Sequence, residues 1–418
     1  MKRTFLLILS FLLLCPPLSA QKRYTGQTIE KILALPENEI DLGIACLVLA
    51  KDAYPNINIP FFDYALDYMA DRINTLIQGN TDPEAKIGLM NTYLYRAGWW
   101  NDSLTFTYDL DDLEAKKKEN QFLNSYLATK KGSCITMPML HLVLADRLGW
   151  PIQAALSPQH FFCRYVDDKL EKNNIEATLG GGYLSNERYI SDAAIPQKAL
   201  KNGVYLRTLS KKEYLGVLLL NNARHFYERA DSLAKAIYYT QLAISLDSTL
   251  SGGHWNLGNF YFLVAKKLEK EMFAQAQFAH QAYEIELMAM RNAAPPSPSM
   301  TPQNPLQGIR GVPELPQPNL WPPNMKPPSL FPHVSTPPMQ PANSVVQSNP
   351  YLAQSQADLQ YELMALQTKY VPPIQDAMAR SQWHYAKAEE LGIVLKLPDE
   401  FYIKQAKSIE KFKRTGEY

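Results

Sequence analysis

Three side chains of this 418-residue sequence could together carry out nucleophilic catalysis, namely Cys134, His160 and Glu176. Cys134 stands in the segment KGSCITMP, at the start of a stretch with helical spacing of apolar residues. A cysteine at a helix N-terminus faces unpaired backbone N–H groups and the positive end of the helix dipole, and both favour the nucleophilic thiolate. The position therefore predicts an activated thiol.

The following residues support this placement of Cys134 at the start of a helix. Pro138 fits the first turn, where its missing N–H is not needed. Ser133 and Thr136 are both candidates for the cap, and the sequence does not choose between them.

To form the thiolate and to turn over, the cysteine needs a proton acceptor within reach, and this acceptor is usually oriented by a third polar group. The segment SPQHFFCRY supplies His160 on a predicted strand. His141 is the alternative histidine, but it lies two turns along the same predicted helix as Cys134 and would point elsewhere.

The third group follows from a predicted hairpin between HFFCRYV and NIEATL, with its turn centred near Asp168. Counting eight residues on each side places His160 opposite Glu176, within reach of a carboxylate. Asn174, on the same face as Glu176, is the fallback orienter. The alternation sends a second set of residues to the opposite, core-facing side: Phe161, Cys163, Tyr165, Ile175 and Ala177.

The predicted oxyanion donor is the backbone N–H of Cys134, with Asn124 as a second, weaker candidate. The predicted chemistry needs no cofactor. Cysteine and histidine spacings typical of a structural zinc site are missing from the sequence, so we expect no metal.

Each candidate also has a purely structural interpretation. Cys134 could be bonded to Cys163, although the alternation sends Cys163 to the other face. His160 could be a core histidine, and Glu176 could be a solvated strand carboxylate. Cys46, in the apolar run IACLVLA, is interpreted as a small buried hydrophobic residue.

The element pattern over the first half predicts an α+β fold. Helical spacing runs from Thr28 to Trp100, and further helices are predicted over residues 121–130 and 134–148, the last ended by Gly149. Three short segments rich in aromatic and branched residues then read as strands: IQAALS, HFFCRYV and NIEATL. Helices packed on a small antiparallel sheet are therefore expected over residues 25–200.

Helical patterning returns at residues 205–294 and opens with a capping box, SKKE, at residues 210–213. Leu257, Gly258 and Tyr261 give an LGxxY pattern, which is typical of tetratricopeptide repeats. An ordinary helical hairpin without a partner groove is the alternative. A long amphipathic helix is predicted from about residue 254 to 294.

The remaining segments are defined by composition. Residues 1–20 combine a basic start, a ten-residue apolar run and a small-residue end, which predicts a secretory signal peptide cut after Ala20. Residues 295–350 hold 17 of the 30 prolines and predict a disordered insert between helices. Residues 351–418 return to a helical pattern that is expected to pack with the repeats.

The balance of charge limits the class of partner. The formal net charge is +1, and no concentrated basic face points to nucleic acid. The ten-residue apolar run is too short to cross a bilayer, so no integral membrane segment is expected after signal removal. The expected location is the periplasm or cell envelope, or the extracellular medium.

The order helix-Cys, strand-His, strand-acid, carried by GSC, PQHFFCRY and IEAT, resembles the transglutaminase-like superfamily. The segments YPNINIPFFDYALDYMADRI and RLGWPIQAALSPQHF resemble its bacterial branch, in which this domain precedes tetratricopeptide repeats. The likeness covers about residues 25–200, with a weaker continuation to 265. The superfamily usually has Asp where this chain has Glu176, and many members of the branch lack the cysteine that this chain keeps.

The resemblance implies a papain- or transglutaminase-like fold and a Cys-His-acid triad. The resulting hypothesis is an exported cysteine-dependent enzyme that hydrolyses or transfers acyl groups of amides in proteins or peptides. The alternative is an inactive transglutaminase-like fold whose helical repeats hold a protein partner.

Overall fold

A computed structural model describes residues 26–167, 170–229, 231–293 and 350–415. The predicted signal peptide, the predicted turn centre at Asp168 and nearly all of the Pro-rich segment lie outside these residues. The chain divides into two compact units, one comprising Met1–Phe260 with Ser381–Tyr418 and the other Tyr261–Arg380.

The first unit opens with four helices, as the spacing of apolar residues predicts. Side chains fix where three of them begin: Asp41 accepts from Ile44 N at 3.0 Å, Asn58 from Phe61 N at 3.1 Å, and Asp82 from Ala85 N at 2.8 Å. The helices are α1 (Ile29–Leu33), α2 (Leu42–Ala50), α3 (Ile59–Ile77) and α4 (Pro83–Tyr95). Cys46 is buried within α2, as predicted.

The next stretch brings the chain to the candidate nucleophile. It contains β1 (Thr107–Tyr108), α5 (Leu123–Thr129), β2 (Lys131–Gly132) and α6 (Thr136–Leu148), and β1 pairs with β2 in parallel. The sequence did not predict these two short strands. Gly149 ends α6 with a left-handed φ of 64°, as predicted.

Helix α6 is held in place by its buried apolar face and by ion pairs at its C-terminal end. Arg147 pairs with Asp63 and Asp67 of α3, and with Asp41 at 3.6 Å. The backbone N–H of Leu42 donates to Asp146 Oδ2 at 3.1 Å. These contacts fix the helix whose other end carries Cys134.

A four-stranded antiparallel sheet follows, with strand order β5-β4-β3-β6. Its strands are β3 (Ile152–Ser157), β4 (His160–Tyr165), β5 (Asn174–Ile175) and β6 (Thr208–Leu209). The predicted third strand, NIEATL, is mostly not a strand: after Ile175 the chain turns into a 3-10 helix over Ala177–Leu179. Strand β6 was not predicted.

The predicted register between β4 and β5 is wrong by two residues. Cys163 pairs with Ile175 and Arg164 with Asn174, so this register places His160 opposite Thr178 and not opposite Glu176. A shift of one residue would have reversed the faces, but a shift of two preserves them. Glu176 therefore keeps the face predicted for it.

Both faces of the sheet are buried, which the sequence analysis did not anticipate. On one face Cys163 Sγ lies 3.6 Å from Pro138 O of α6. On the other face Phe162 stacks on Tyr189 with ring centroids 4.1 Å apart. The His160 side of the sheet is thus covered as well.

The helices after the sheet begin with α7 (Asn186–Ala193) and α8 (Gln197–Lys201), followed by α9 (Lys211–Glu228) and α10 (Leu233–Leu246). The predicted capping box is present: Ser210 Oγ accepts from Glu213 N at 3.3 Å, and Glu213 Oε2 accepts from Ser210 N at 2.7 Å. Helices α9 and α10 pack together as a hairpin, and the small residues Ala223, Ala236 and Ala243 are fully buried.

Three further helices complete the described chain: α11 (Ser251–Ala293), α12 (Pro350–Leu391) and α13 (Phe401–Thr415). Helix α11 matches the predicted long helix. In the second unit, portions of α11 and α12 lie side by side, with Gln275 donating to Tyr370 at 2.7 Å and Ser355 to Glu286 at 2.6 Å. Among the described helices, none has the length and apolar character needed to cross a membrane.

Candidate active site

Cys134 lies in a tight turn that leads into α6. Ser133 fixes this turn, because its Oγ donates to Asn120 O at 2.6 Å and accepts from Ile135 N at 3.0 Å. The N–H of Ser133 in turn donates to Thr136 Oγ1 at 3.0 Å. Both predicted cap residues therefore hold the turn, although Ile135 occupies the N-cap position and the helix begins two residues after Cys134.

The Cys134 side chain is only 8% exposed. Its Sγ atom lies 4.0 Å from the carbonyl oxygen of Gln159, in the turn before β4. Cys134, Cys163 and Cys46 are all free thiols, so the Cys134–Cys163 disulfide considered above is not formed.

His160 begins β4 and binds Glu176, the partner predicted for it. The His160 Nε2 atom lies 2.7 Å from Glu176 Oε2, and both side chains are buried. The other ring nitrogen, Nδ1, is also buried and has no hydrogen-bond partner of standard geometry among the described residues. The arrangement leaves Nδ1 as the nitrogen available to a reacting group.

The charge state of His160 follows from its neighbours. Burial alone would lower its pKa, but the charge of Glu176 and the interactions with Cys134 and Glu176 outweigh burial and raise the pKa to about 10. The Cys134 thiol thus interacts with the imidazole, though without the geometry of a standard hydrogen bond. Catalytic hydrogen bonds are often loose before substrate binds.

Glu176 is a buried carboxylate with a complete set of donors. Oε1 accepts from Thr178 Oγ1 at 2.7 Å and from Thr178 N at 3.1 Å, and Oε2 accepts from Tyr189 Oη at 2.7 Å. Burial alone would raise its pKa, but the charge of His160 and these hydrogen bonds hold the pKa below its ordinary value. An ionised Glu176 beside a protonated His160 is the stable state.

Tyr189 and Thr178 are site residues that the sequence analysis missed. Thr178 is two residues after Glu176, a spacing at which a side chain commonly bonds to a neighbouring backbone or side-chain group. Tyr189 comes from α7, and its ring lies 6.2 Å from the His160 ring. Its place beside Glu176 depends on how α7 packs on the sheet, for which the sequence contains no local signal.

The two alternative residues are engaged elsewhere. Asn174 accepts from Arg164 Nε at 2.8 Å and donates to Leu184 O at 2.9 Å, so the structure does not place it as the orienter of His160. His141 is fully buried within α6, and burial lowers its pKa to about 3. A neutral imidazole packed near the Tyr95 ring is a core residue.

The backbone of Cys134, the predicted oxyanion donor, lies beside the hydroxyl of Tyr108 in β1. Burial raises the pKa of Tyr108, and the interaction with the Cys134 backbone opposes that shift. The Tyr108 hydroxyl donates to Leu113 O at 2.9 Å. Asn124, the second candidate, is buried in α5, and its Oδ1 has no hydrogen-bond partner in the described part of the chain.

Within the described ranges, no cluster of three or more His, Cys, Asp or Glu side chains could hold a metal ion. What the geometry does bring together is a thiol, an imidazole and a carboxylate, from the turn before α6, from β4 and from the residue after β5. A thiol, an imidazole and a carboxylate are the group types that a cysteine nucleophile, a proton carrier and an orienting acid require.

Comparison with known proteins finds a family match over this part of the chain. Residues 62–219 match the family model of the transglutaminase-like superfamily. This transglutaminase-like domain includes Cys134, His160 and Glu176, and it overlaps the domain predicted over residues 25–200. The match stops within α9, so it does not cover the helices for which tetratricopeptide repeats were predicted.

Two distant relatives from Xylella fastidiosa, strains Temecula1 and 9a5c, are each named UPF0162 protein. Each is 22% identical to this chain over 138 residues, which are 33% of this chain and 46% of the relative. The chain thus spans less than half the length of these curated relatives.

Proposed function

We propose that this chain is an exported, cysteine-dependent acyl-transfer enzyme that acts on amide bonds of proteins or peptides. One observation carries the proposal: Glu176 binds His160 through Nε2, which leaves Nδ1 free on the ring that interacts with the Cys134 thiol. The transglutaminase-like match over residues 62–219 supports the same class of chemistry.

In the proposed reaction, the Cys134 sulfur attacks the amide carbonyl carbon while the proton of the thiol resides on His160 Nδ1. As the C–N bond breaks, His160 passes this proton to the departing amine, and the acyl group stays on sulfur as a thioester. Water or a second amine then attacks the thioester and gives its proton to His160. The C–S bond breaks, the acyl group leaves as the acid or the new amide, and Cys134 returns as a thiolate beside protonated His160.

Glu176 has an orienting role in this scheme. It binds Nε2 and stabilises the imidazolium, while Thr178 and Tyr189 hold the carboxylate itself. The Cys134 backbone N–H is the proposed donor to the oxyanion, and Tyr108 is the group beside it that an oxyanion would have to displace. Water as acceptor makes the enzyme a hydrolase, and an amine makes it a transferase.

The helical hairpin α9–α10 and the LGxxY pattern support a second element of the proposal, a tetratricopeptide-like region that binds a protein partner. Partner binding there should survive Cys134→Ala. Acyl transfer should not, so this variant separates the enzyme from a scaffold.

The test is to trap the acyl-enzyme. Purified mature protein is incubated with a peptide mixture containing glutamine and backbone amides, quenched in acid and examined by intact-mass and peptide-level mass spectrometry. A thioester adduct on Cys134 that is missing from Cys134→Ala, and unaffected by Cys163→Ala, is the expected result. Release of amine that persists in Cys134→Ala would exclude the proposed nucleophile.

A further inference from the structure

The entrance to the candidate site is covered by the C-terminal part of the chain. Gln159, whose carbonyl oxygen faces the Cys134 sulfur, uses its side chain to bind the segment after α12: Nε2 donates to Leu395 O at 3.1 Å. Its Oε1 accepts from the Tyr402 hydroxyl at 3.2 Å. Tyr402 lies close enough to Cys134 for the two groups to influence each other electrostatically.

The C-terminal end of α13 packs near the segment that follows Glu176. Lys413 Nζ donates to Tyr108 O at 3.1 Å. The Phe412 ring lies directly on Gly180, where φ is +67° and an added Cβ would clash with the ring. Gly180 follows the 3-10 helix that contains Thr178, so Phe412 packs beside the segment that holds Glu176, while Tyr402 packs on the turn that carries Gln159.

With this cover in place, the side chains of Cys134 and His160 are largely inaccessible. Cys134 is 8% exposed and His160 is 6% exposed. A carbonyl carbon must approach the sulfur to roughly 3–3.5 Å in a reactive geometry. An amide can therefore reach Cys134 only when α13 moves away.

The packing of α13 is compatible with such a movement. Of the fifteen residues of α13, all of them described, Ile409 alone is buried. A cavity of about 210 Å³ remains beneath the helix, between Ile409 and Phe412 on one side and Phe106, Met137 and Thr178 on the other. In α6, by contrast, residues 136–145 are all buried, so α13 is held less firmly than α6.

The inward face of α13 shows what kind of molecule fits the cleft. Tyr402, Ile409 and Phe412 recur at helical spacing and are among its apolar contacts with the domain, so the cleft accepts a polypeptide with aromatic and aliphatic side chains. We propose that the cleft filled by α13 is the site at which polypeptide substrates bind, and that α13 is an intramolecular competitor for it. That the bound polypeptide is a substrate rests on the proposed function.

The experiment measures the iodoacetamide labelling rate of Cys134 in the folded full-length chain, with each cysteine followed by mass spectrometry. The double variant Tyr402→Ala/Phe412→Ala should raise the labelling rate at Cys134 by about tenfold or more. A tenfold increase corresponds to a loss of about 1.4 kcal/mol from the free energy that favours the closed position of α13. Ile403→Ala, at a 56% exposed position on the same helix, should leave the rate unchanged. Cys46 and Cys163, which are buried in the core, report whether a variant has unfolded.

The second measurement adds a synthetic peptide of residues 399–415 to the double variant. The peptide should slow labelling of Cys134 in a saturable way, and a scrambled peptide of the same composition should not. If the double variant labels at the wild-type rate, α13 does not control access. If labelling accelerates but the peptide offers no protection, the cleft does not bind polypeptide and the proposal is overturned. Neither readout needs turnover, so a chain that binds the peptide but forms no acyl-enzyme would refute only the proposed function.

Discussion

The Nε2 atom of His160 lies 2.7 Å from Oε2 of Glu176, in a pair whose side chains are both almost completely buried. Burying two ionised groups is costly unless each has hydrogen-bonding partners. Glu176 has them in Thr178 and Tyr189, whereas His160 has one nitrogen without a conventional partner. That nitrogen belongs to the ring that interacts with the Cys134 thiol.

The stability of the fold should depend on pH through this pair. The pKa of His160 is raised from 6.5 to about 10, so its contribution is complete below pH 6.5 and is lost as pH rises towards 10. The pKa of Glu176 is lowered from 4.5, so its contribution is present above pH 4.5 and is lost as pH falls through the lowered value. The pair therefore stabilises most between pH 4.5 and 6.5.

Urea unfolding of wild type and Glu176→Gln measures this contribution. We expect the variant to lose about 3–5 kcal/mol at mildly acidic pH, because one partner of a buried ion pair is left alone. The gap between the two proteins should narrow as pH is raised towards 10. A gap that stays constant across this range would show that the pair is not ionised in the folded state.

The charge of Glu176 should also be visible in the titration of His160. In Glu176→Gln the pKa of His160 should fall well below about 10, since burial then acts without the opposing carboxylate. NMR of the imidazole Cε1–H, assigned with His160→Gln, follows this directly. Glu187→Gln, at an exposed position on α7, is the matched control and should leave the titration unchanged.

Tyr189 should stabilise the carboxylate of Glu176. Tyr189→Phe keeps the ring that stacks on Phe162 but removes the hydroxyl donor, so we expect a loss of about 1.5–3 kcal/mol of unfolding free energy. Tyr183→Phe, at a 42% exposed position, should change stability by less than about 0.5 kcal/mol. Equal effects from the two variants would mean that the Tyr189 hydroxyl does not hold Glu176.

Arg147 should be required to hold α6, and with it Cys134, in position. Arg147→Met leaves the buried carboxylate of Asp63 without its cation, and a loss of about 3–5 kcal/mol is expected in thermal or urea unfolding. Arg188→Met breaks an exposed pair with Asp192 and should cost less than about 1 kcal/mol. A mild Arg147→Met phenotype would show that apolar packing alone positions α6.

Much of the site could be predicted because it depends on local signals. Gly149 ends α6, the SKKE segment caps α9, and the turn between β3 and β4 places His160 at a strand end. The predicted β4–β5 register is incorrect, but the prediction that His160 and Glu176 share a face still holds, because the error is two residues. Period-two alternation determines the face, whereas turn length determines the partner.

What the sequence could not predict are contacts between distant segments. Tyr402 and Gln159 are 243 positions apart, and Lys413 and Tyr108 are 305 apart. Such contacts depend on how whole helices pack and leave no periodic trace near the site. The burial of both sheet faces was missed for the same reason, because Tyr189 comes from a separate helix.

The most direct test of the central claim is the rate of iodoacetamide labelling at Cys134 as a function of pH, in wild type and His160→Ala. The two proteins are compared at the same pH, because α13 slows the access of iodoacetamide to Cys134 equally in both. Near pH 7 the wild type should label about tenfold faster or more, and the two rates should converge above about pH 9, where an ordinary thiol with a pKa of about 8.5 ionises unaided. Equal rates at every pH would contradict the claim that His160 activates Cys134.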